Sequence, residues 1–316
     1  MTVDDVNTDV LFISAVDPTM LPKLEAEFTV HKLPASGREE FLASVAGRIR
    51  FIVTTGGGGA DASLIGALPN LELIAVGTAG YEAVDLEAAS KRGIAVTHTP
   101  DVTANDVADL AFGLLIAVAR RIAEGERFIR DGHWRAGGMD FGTRVSGKRL
   151  GIVGLGSIGR TVAKRAQGFN IDVAYNGPSR KSDVSYAYHA DVVDLARAVD
   201  FLIVSCPGGP ETEGLIDRPV LETLGVKGIL VNVSRGSVVD EAALVEALSN
   251  GVLGGAGLDV FAHEPGVPAE FMAMENVVLA PHVGSATPET RAAMTDLAIA
   301  NMRAHLAGQP LLTPVP

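Results

Sequence analysis

A chain of 316 residues is long for one hydrophobic core and suits two domains, and an apolar share of 47% supplies ample material to bury. The formal charge of −12 argues against nucleic acid and anionic membrane surfaces as general partners, although a local basic pocket is compatible with it. Residues 1–9 are acidic and polar with no apolar targeting core, and the apolar run 110–119 is too short to span a bilayer. With Cys206 as the one cysteine no intrachain disulfide can form, so a reducing, cytoplasmic setting is expected; following the apolar run 201–205, this cysteine reads as a small buried residue rather than a nucleophile.

Along the chain, β-rich runs at 10–14, 51–54, 73–77 and 94–97 alternate with helical stretches such as 64–68 and 86–92, which predicts a small α/β unit. Residues 105–128, rich in Ala and Leu and without proline, predict one long helix serving as a hinge to the next unit. Its apolar part at 110–119 and the segment around Trp134, the only tryptophan, offer more apolar surface than a hinge needs, which predicts a two-fold homodimer. Trp134 reads as an interface or cleft aromatic, or as ordinary packing. Strands expected at 150–154, 171–175, 200–205, 228–233, 255–259 and 277–280, separated by helices, predict a doubly wound parallel sheet. A last helix at 288–306, stopped by Gly308 and Pro310, is expected to return to the first unit. His31, His98, His133, His189, His263 and His305 show no metal-ligand spacing and read as surface or loop residues, so no metal is expected.

The most specific local signal is the run from Leu150 to Arg160, an apolar strand entering Gly154-x-Gly156-Ser157-Ile158-Gly159 ahead of a helical stretch. Gly154 permits the tight bend, Gly156 lets backbone approach a pyrophosphate, and Gly159 lets the helix pack close to the strand, so the turn points to a dinucleotide. An NAD-selective site of this kind carries an acid at the end of the second strand. Asp172 opens that strand, and its end position is Asn176, which carries no repelling charge. Gly177-Pro-Ser179-Arg180-Lys181 follows, presenting a hydroxyl and two cations where a 2′-phosphate would lie, which favours NADPH with NADH as the weaker alternative. Arg160 either adds positive potential there or faces away.

Three further patches each set a polar residue directly after an apolar strand: Val231-Asn-Val-Ser-Arg235-Gly236, Gly257-Leu-Asp259 through Glu264-Pro265, and Pro281-His282-Val-Gly-Ser285-Ala-Thr287. At the carboxyl ends of parallel strands they would line one crevice beside the dinucleotide. With Val76-Gly-Thr-Ala-Gly-Tyr81 and Thr99-Pro-Asp-Val102, these motifs span almost the whole chain and resemble the D-2-hydroxyacid dehydrogenase family.

The resemblance implies two Rossmann-like or flavodoxin-like α/β domains joined by hinge helices, with residues 1–99 and 287–316 binding the substrate and 100–286 the dinucleotide. It implies that Arg235 binds the substrate carboxylate and polarises its carbonyl, that His282 is the general acid or base, and that Glu264 orients His282 and favours its charged form. Val76 and Gly77 match the loop whose N–H groups receive the substrate carboxylate. Asp259 matches the position that meets the nicotinamide amide, and Thr103 and Val107 those lining the nicotinamide end. The cofactor set implied also includes Cys206, Pro207, Thr212, Val233, Ser234 and Gly284. Within the family, the 2′-phosphate loop and the absence of a large insertion look most like the glyoxylate and hydroxypyruvate reductases. D-lactate, phenylpyruvate and phosphoglycerate types, and a non-enzymatic dinucleotide sensor, stand as alternatives.

Overall fold

The computed structural model describes residues 8–13 and 20–315, which divide into two compact units, one drawn from Met1–Thr103 with Ser285–Pro316 and the other Ala104–Gly284. Ser14, expected to end the first strand, and residues 1–7 of the acidic stretch lie outside the described residues.

The first unit begins β1 (Asp9–Phe12), α1 (Met20–Glu25), β2 (Thr29–Lys32), α2 (Arg38–Val45), β3 (Ile49–Thr54), α3 (Ala62–Ala67), β4 (Leu73–Val76), α4 (Leu86–Lys91) and β5 (Ala95–Thr97). All five strands are parallel in the order β2-β1-β3-β4-β5, the flavodoxin-like arrangement. The near-continuous apolar sequence of β3 and β4 follows from burial on both faces. Asp61 and Asp85 start α3 and α4 by accepting the Leu64 and Ala88 N–H groups at 2.8 Å. Sequence patterning does not anticipate β2, because an edge strand reading Thr-Val-His-Lys is only half-buried and carries no apolar run.

The second unit runs α5 (Ala104–Ala119), α6 (Ile122–Arg130), β6 (Arg149–Val153), α7 (Ser157–Gln167), β7 (Asp172–Asn176), β8 (Ala187–His189), α8 (Val192–Ala198), β9 (Phe201–Val204), α9 (Arg218–Leu224), β10 (Ile229–Asn232), α10 (Glu241–Ser249), β11 (Gly255–Leu258), α11 (Ala269–Ala273) and β12 (Val277–Leu279). Its seven strands are parallel in the order β12-β11-β10-β9-β6-β7-β8, so the direction of winding reverses between β6 and β9. A crevice at the carboxyl ends of that pair is the topological switch point where ligands bind in such sheets.

Two expectations are corrected here. The long helix expected at 105–128 is two helices, because Arg121 takes a left-handed φ of 54° and the chain returns across the end of α5. Thr143 N–H donates to the Ala119 carbonyl at 2.6 Å, and a Cβ on Gly142 would lie 2.7 Å from that same oxygen. The apolar run 110–119 is also accounted for within its own unit. Ala111, Phe112, Leu114, Leu115 and Ala119 are buried in a core shared with β6, α7, β9 and β10. Exposed apolar side chains follow this run instead, with Ile122 and Ile129 on α6 and Trp134 and Phe141 beyond it.

The chain ends with α12 (Pro288–Leu306), capped by the Thr287 hydroxyl and packed in the first unit. Ile299 and Met302 join the core with Phe51, Val53 and Leu73, and Arg303 grips Glu27 with two bonds of 2.7 Å. Among the described residues no helix is long and apolar enough to cross a membrane.

Candidate active site

In the seven-stranded unit the motif residues stand in a row at the carboxyl edge of the sheet. Gly154 follows β6, and Cys206 closes against it from β9. A Cβ on Gly154, at φ 92°, would lie 2.6 Å from the Cys206 backbone, and one on Gly159 would lie 2.1 Å from the Gly154 carbonyl oxygen. Those two glycines are required by packing. Gly156 differs, since a Cβ there would meet nothing within 4 Å. It stands at the start of α7, which has no side-chain cap, and the Ser157 and Ile158 N–H groups donate to no described residue. An open, uncapped helix N-terminus behind a bare backbone fits a pyrophosphate. Cys206 is buried, which pushes its thiol up to about 11, so it lines the turn as an apolar wall.

At the end of β7, Asn176 is buried and its amide donates at 3.0 Å to both the His189 and Ala190 carbonyls. Its NH2 group is therefore spent on the chain, and the strand end carries no carboxylate. Ser179 and Arg180 are exposed on the loop beyond, and Arg180 bonds to no described residue. Arg160, in contrast, grips Asp183 with bonds of 2.7 and 3.1 Å.

The three polar patches that follow β10, β11 and β12 are brought together by close backbone packing. A Cβ on Gly236 would lie 2.0 Å from the Phe261 backbone, so only glycine lets the Arg235 loop sit against the loop carrying Glu264. Asn232 accepts from Ser234 N–H at 3.1 Å and donates to the Arg235 carbonyl at 3.0 Å, and the Ser234 hydroxyl bonds the Cys206 carbonyl. Arg235, half-buried, donates through Nη1 to Ser234 O at 2.8 Å and lays its stem against Gly208. Glu264 uses both oxygens: Oε1 accepts the Phe261 N–H at 3.0 Å, and Oε2 lies 2.6 Å from Nδ1 of His282. A carboxylate on Nδ1 places the proton there and leaves Nε2, half the ring being exposed, to exchange a proton with a ligand.

His282 itself has a left-handed φ of 54°, a conformation a non-glycine residue keeps only when its surroundings hold it. Asp259 is what holds it. Its backbone carbonyl accepts the His282 N–H at 2.8 Å, and its two carboxylate oxygens accept Val283 and Gly284 N–H at 2.8 and 2.9 Å. Burial pushes the Asp259 carboxyl up, with the two N–H groups opposing that rise. Val107 packs over the same point, 3.3 Å from a Cβ placed on Gly284. Val233 and Ser234 are buried beside Arg235, and Thr212 folds its exposed hydroxyl back onto the Pro207 carbonyl at 2.7 Å.

In the five-stranded unit the expected carboxylate donors are displaced. Val76 is buried at the end of β4, and the Gly77 N–H is already donated to Thr54 O at 2.8 Å, so Val76 and Gly77 do not present the open donors. Further round the same loop, the N–H groups of Thr78, Ala79 and Gly80 donate to no described residue. Gly77 serves packing instead, since a Cβ would strike the Met20 methyl at 2.6 Å. The loop is tied by Thr78, which accepts Gly56 N–H at 2.7 Å and donates to Gly80 O at 2.8 Å, and by His98 Nδ1, 2.8 Å from Ala79 O. The second glycine of Gly77-x-x-Gly80 was the available signal. His98 is thus a bonded, half-buried residue rather than a surface one, as are His31 on Asp9 and His305 on Glu72.

Residues 112–284 match the family model for the NAD binding domain of D-isomer specific 2-hydroxyacid dehydrogenases. The chain belongs to that family. It is 50% identical to hydroxyphenylpyruvate reductase of Plectranthus scutellarioides over 88% of this chain and 89% of that one. It is 46% identical to glyoxylate/hydroxypyruvate reductase A of Arabidopsis thaliana over 97% and 98% of the two chains. Among solved structures, the NADPH-dependent glyoxylate/hydroxypyruvate reductase of Sinorhizobium meliloti, in complex with NADP and malonate, is 39% identical with a TM-score of 0.91 over 98% of this chain and 97% of that one. In this D-2-hydroxyacid dehydrogenase the glycine turn, the Arg235 loop and the Glu264–His282 pair all lie inside the matched segment.

Proposed function

We propose that the protein reduces a small 2-oxo acid, of the glyoxylate or hydroxypyruvate type, to the D-2-hydroxy acid with NADPH, NADH serving less well. The observation that carries this reading is the Glu264 carboxylate shared between Phe261 N–H and His282 Nδ1, which fixes one ring face and leaves Nε2 to act. The nicotinamide, when bound, supplies the hydride. His282 Nε2 gives the proton to the carbonyl oxygen as charge develops there, and Arg235, with a planar fork, holds and polarises the acid. Ala79 and Gly80, with their undonated N–H groups, are the residues of the five-stranded unit proposed to receive a carboxylate. Thus the assignment of residues 1–99 and 287–316 to substrate and 100–286 to dinucleotide is retained as part of the proposal.

The reading of NADPH rests on the uncharged Asn176 and on exposed Ser179 and Arg180, and the NADP complex of the Sinorhizobium relative supports it. A second reading, an aromatic 2-oxo acid, is favoured by the identity to the hydroxyphenylpyruvate reductase. A panel of glyoxylate, hydroxypyruvate, pyruvate and hydroxyphenylpyruvate with NADPH and NADH tests both. The small acids should give the highest kcat/KM, and a preference for NADH at equal concentration would refute the cofactor assignment. Ile122, Ile129, Trp134 and Phe141, each more than half exposed, are the face proposed for a homodimer; light scattering at micromolar concentration should give twice the chain mass. A cytoplasmic location is proposed from the single buried thiol.

A further inference from the structure

The loop proposed to meet the 2′-phosphate has no ladder or helix of its own between the end of β7 and the start of β8. Its shape is nonetheless determined at both ends by two phenol groups. Tyr175, 1% exposed on β7, accepts the Lys181 N–H on its hydroxyl at 2.6 Å. Tyr188, on the neighbouring β8, donates to the Gly177 carbonyl at 3.1 Å. The two rings lie against each other with centroids 5.3 Å apart, so the hydroxyls work as one support. Between the two bonded ends stand Pro178, Ser179 and Arg180, all exposed, with proline limiting the backbone further. Beyond the loop, the Arg160–Asp183 pair fastens the chain to α7.

A surface loop of five residues would otherwise sample many shapes, and ordering it on binding would cost affinity for whatever it contacts. We propose that Tyr175 and Tyr188 are positioning residues for NADP selectivity, holding the 177–181 arch in the shape in which Ser179 and Arg180 meet a 2′-phosphate. This rests on the NADPH reading above and deepens it, since neither tyrosine need touch the cofactor. Arg160 belongs to the same support, its guanidinium being committed to Asp183 rather than to the ligand.

The test uses the full chain and reads binding directly. Dissociation constants for NADP+ and NAD+ are measured by calorimetry for Tyr175→Phe, Tyr188→Phe and Arg180→Ala, with amide exchange followed at Lys181. Tyr175→Phe removes only the oxygen that accepts Lys181 N–H, so NADP+ should weaken about fivefold while NAD+ stays within about twofold. The Lys181 amide should exchange faster in Tyr175→Phe. Tyr188→Phe, at a half-buried position, should weaken NADP+ in the same selective way, and it carries the test if the buried substitution lowers stability. In the double variant with Arg180→Ala the effect of Tyr175→Phe should largely vanish, because the contact it positions is gone. Equal losses for both dinucleotides, or none for NADP+, would overturn the proposal while Arg180→Ala still separated NADP+ from NAD+. If Arg180→Ala itself failed to separate them, the NADPH reading would fall and this proposal with it.

Discussion

The glycine turn contains two different kinds of requirement, and alanine at two of its positions separates them. At Gly159 an added methyl would sit 2.1 Å from the Gly154 carbonyl oxygen and 3.1 Å from the Ile152 side chain. A backbone oxygen cannot rotate away, so α7 must move off β6. Overpacking of this kind costs about 1–3 kcal/mol, partly offset by about 1 kcal/mol from the better helix propensity of alanine. For a domain of this size the net of up to about 2 kcal/mol corresponds to a fall in Tm of up to about 8 °C. At Gly156 the φ of −84° is open to any residue and the methyl would meet nothing within 4 Å, so Gly156→Ala should melt within about 2 °C of the parent. That methyl instead occupies the space where a pyrophosphate would lie against the Ser157 and Ile158 N–H groups. Each lost charge-assisted bond costs about 1.5–3 kcal/mol, so affinity for NADP+ and NAD+ alike should fall roughly 10- to 100-fold. Thermal unfolding of the apo protein and calorimetric titration read the two effects separately. A Gly156→Ala protein that bound dinucleotide as well as the parent, or melted as low as Gly159→Ala, would refute the reasoning.

Other consequences are equally direct. His282→Ala should lower turnover by about 10²- to 10⁴-fold with NADP+ affinity unchanged, and Glu264→Gln by less, since an amide keeps much of the geometry; steady-state kinetics beside calorimetry would show it. Arg235→Lys should raise KM for the 2-oxo acid and also lower kcat, because an ammonium cannot reproduce the two-point fork. The Cys206 thiol, raised by burial to about 11 from its ordinary 9.0, should resist iodoacetamide at pH 7.5 until the protein unfolds, as mass spectrometry would record. Its contribution to stability has a matching sign, being fully present below the unfolded value of 9.0 and lost as pH rises through about 11 in urea titrations. His98→Ala frees the Ala79 carbonyl and should raise KM for the 2-oxo acid several-fold without altering NADP+ affinity. An unchanged KM would mean that the loop keeps its shape without the imidazole.

Much of this molecule is written in local patterns. The central strands could be placed to within a residue or two because burial on both faces demands unbroken apolar runs, and β10 with Ile229, Leu230 and Val231 is typical. The last helix was legible from Pro288 at its start and Gly308 beyond its end. Edge strands β2 and β8 were not, since half-buried segments of three or four residues carry no such run. Nor was the break at Arg121, which is imposed by the chain returning at Gly142 and Thr143 rather than by any residue that stops a helix.

For the site, sequence alone determined which chemical groups are present and in what order. The glycine turn, Arg235, Glu264 and His282 each follow an apolar strand, and a parallel sheet puts all such ends on one edge. What it could not determine is which polar atoms remain unspent after folding, because hydrogen bonds between distant segments decide that. Gly77 looks able to receive a carboxylate until Thr54 takes its N–H. The Asn176 amide is given to the carbonyls of 189 and 190, and Arg160 to the Asp183 carboxylate, pairings that no local pattern shows. Tyr175 reads as a core residue until its hydroxyl is found beneath Lys181. Only the tertiary structure settles that allocation, since each donor and acceptor can be satisfied by whichever partner the fold brings within about 3 Å.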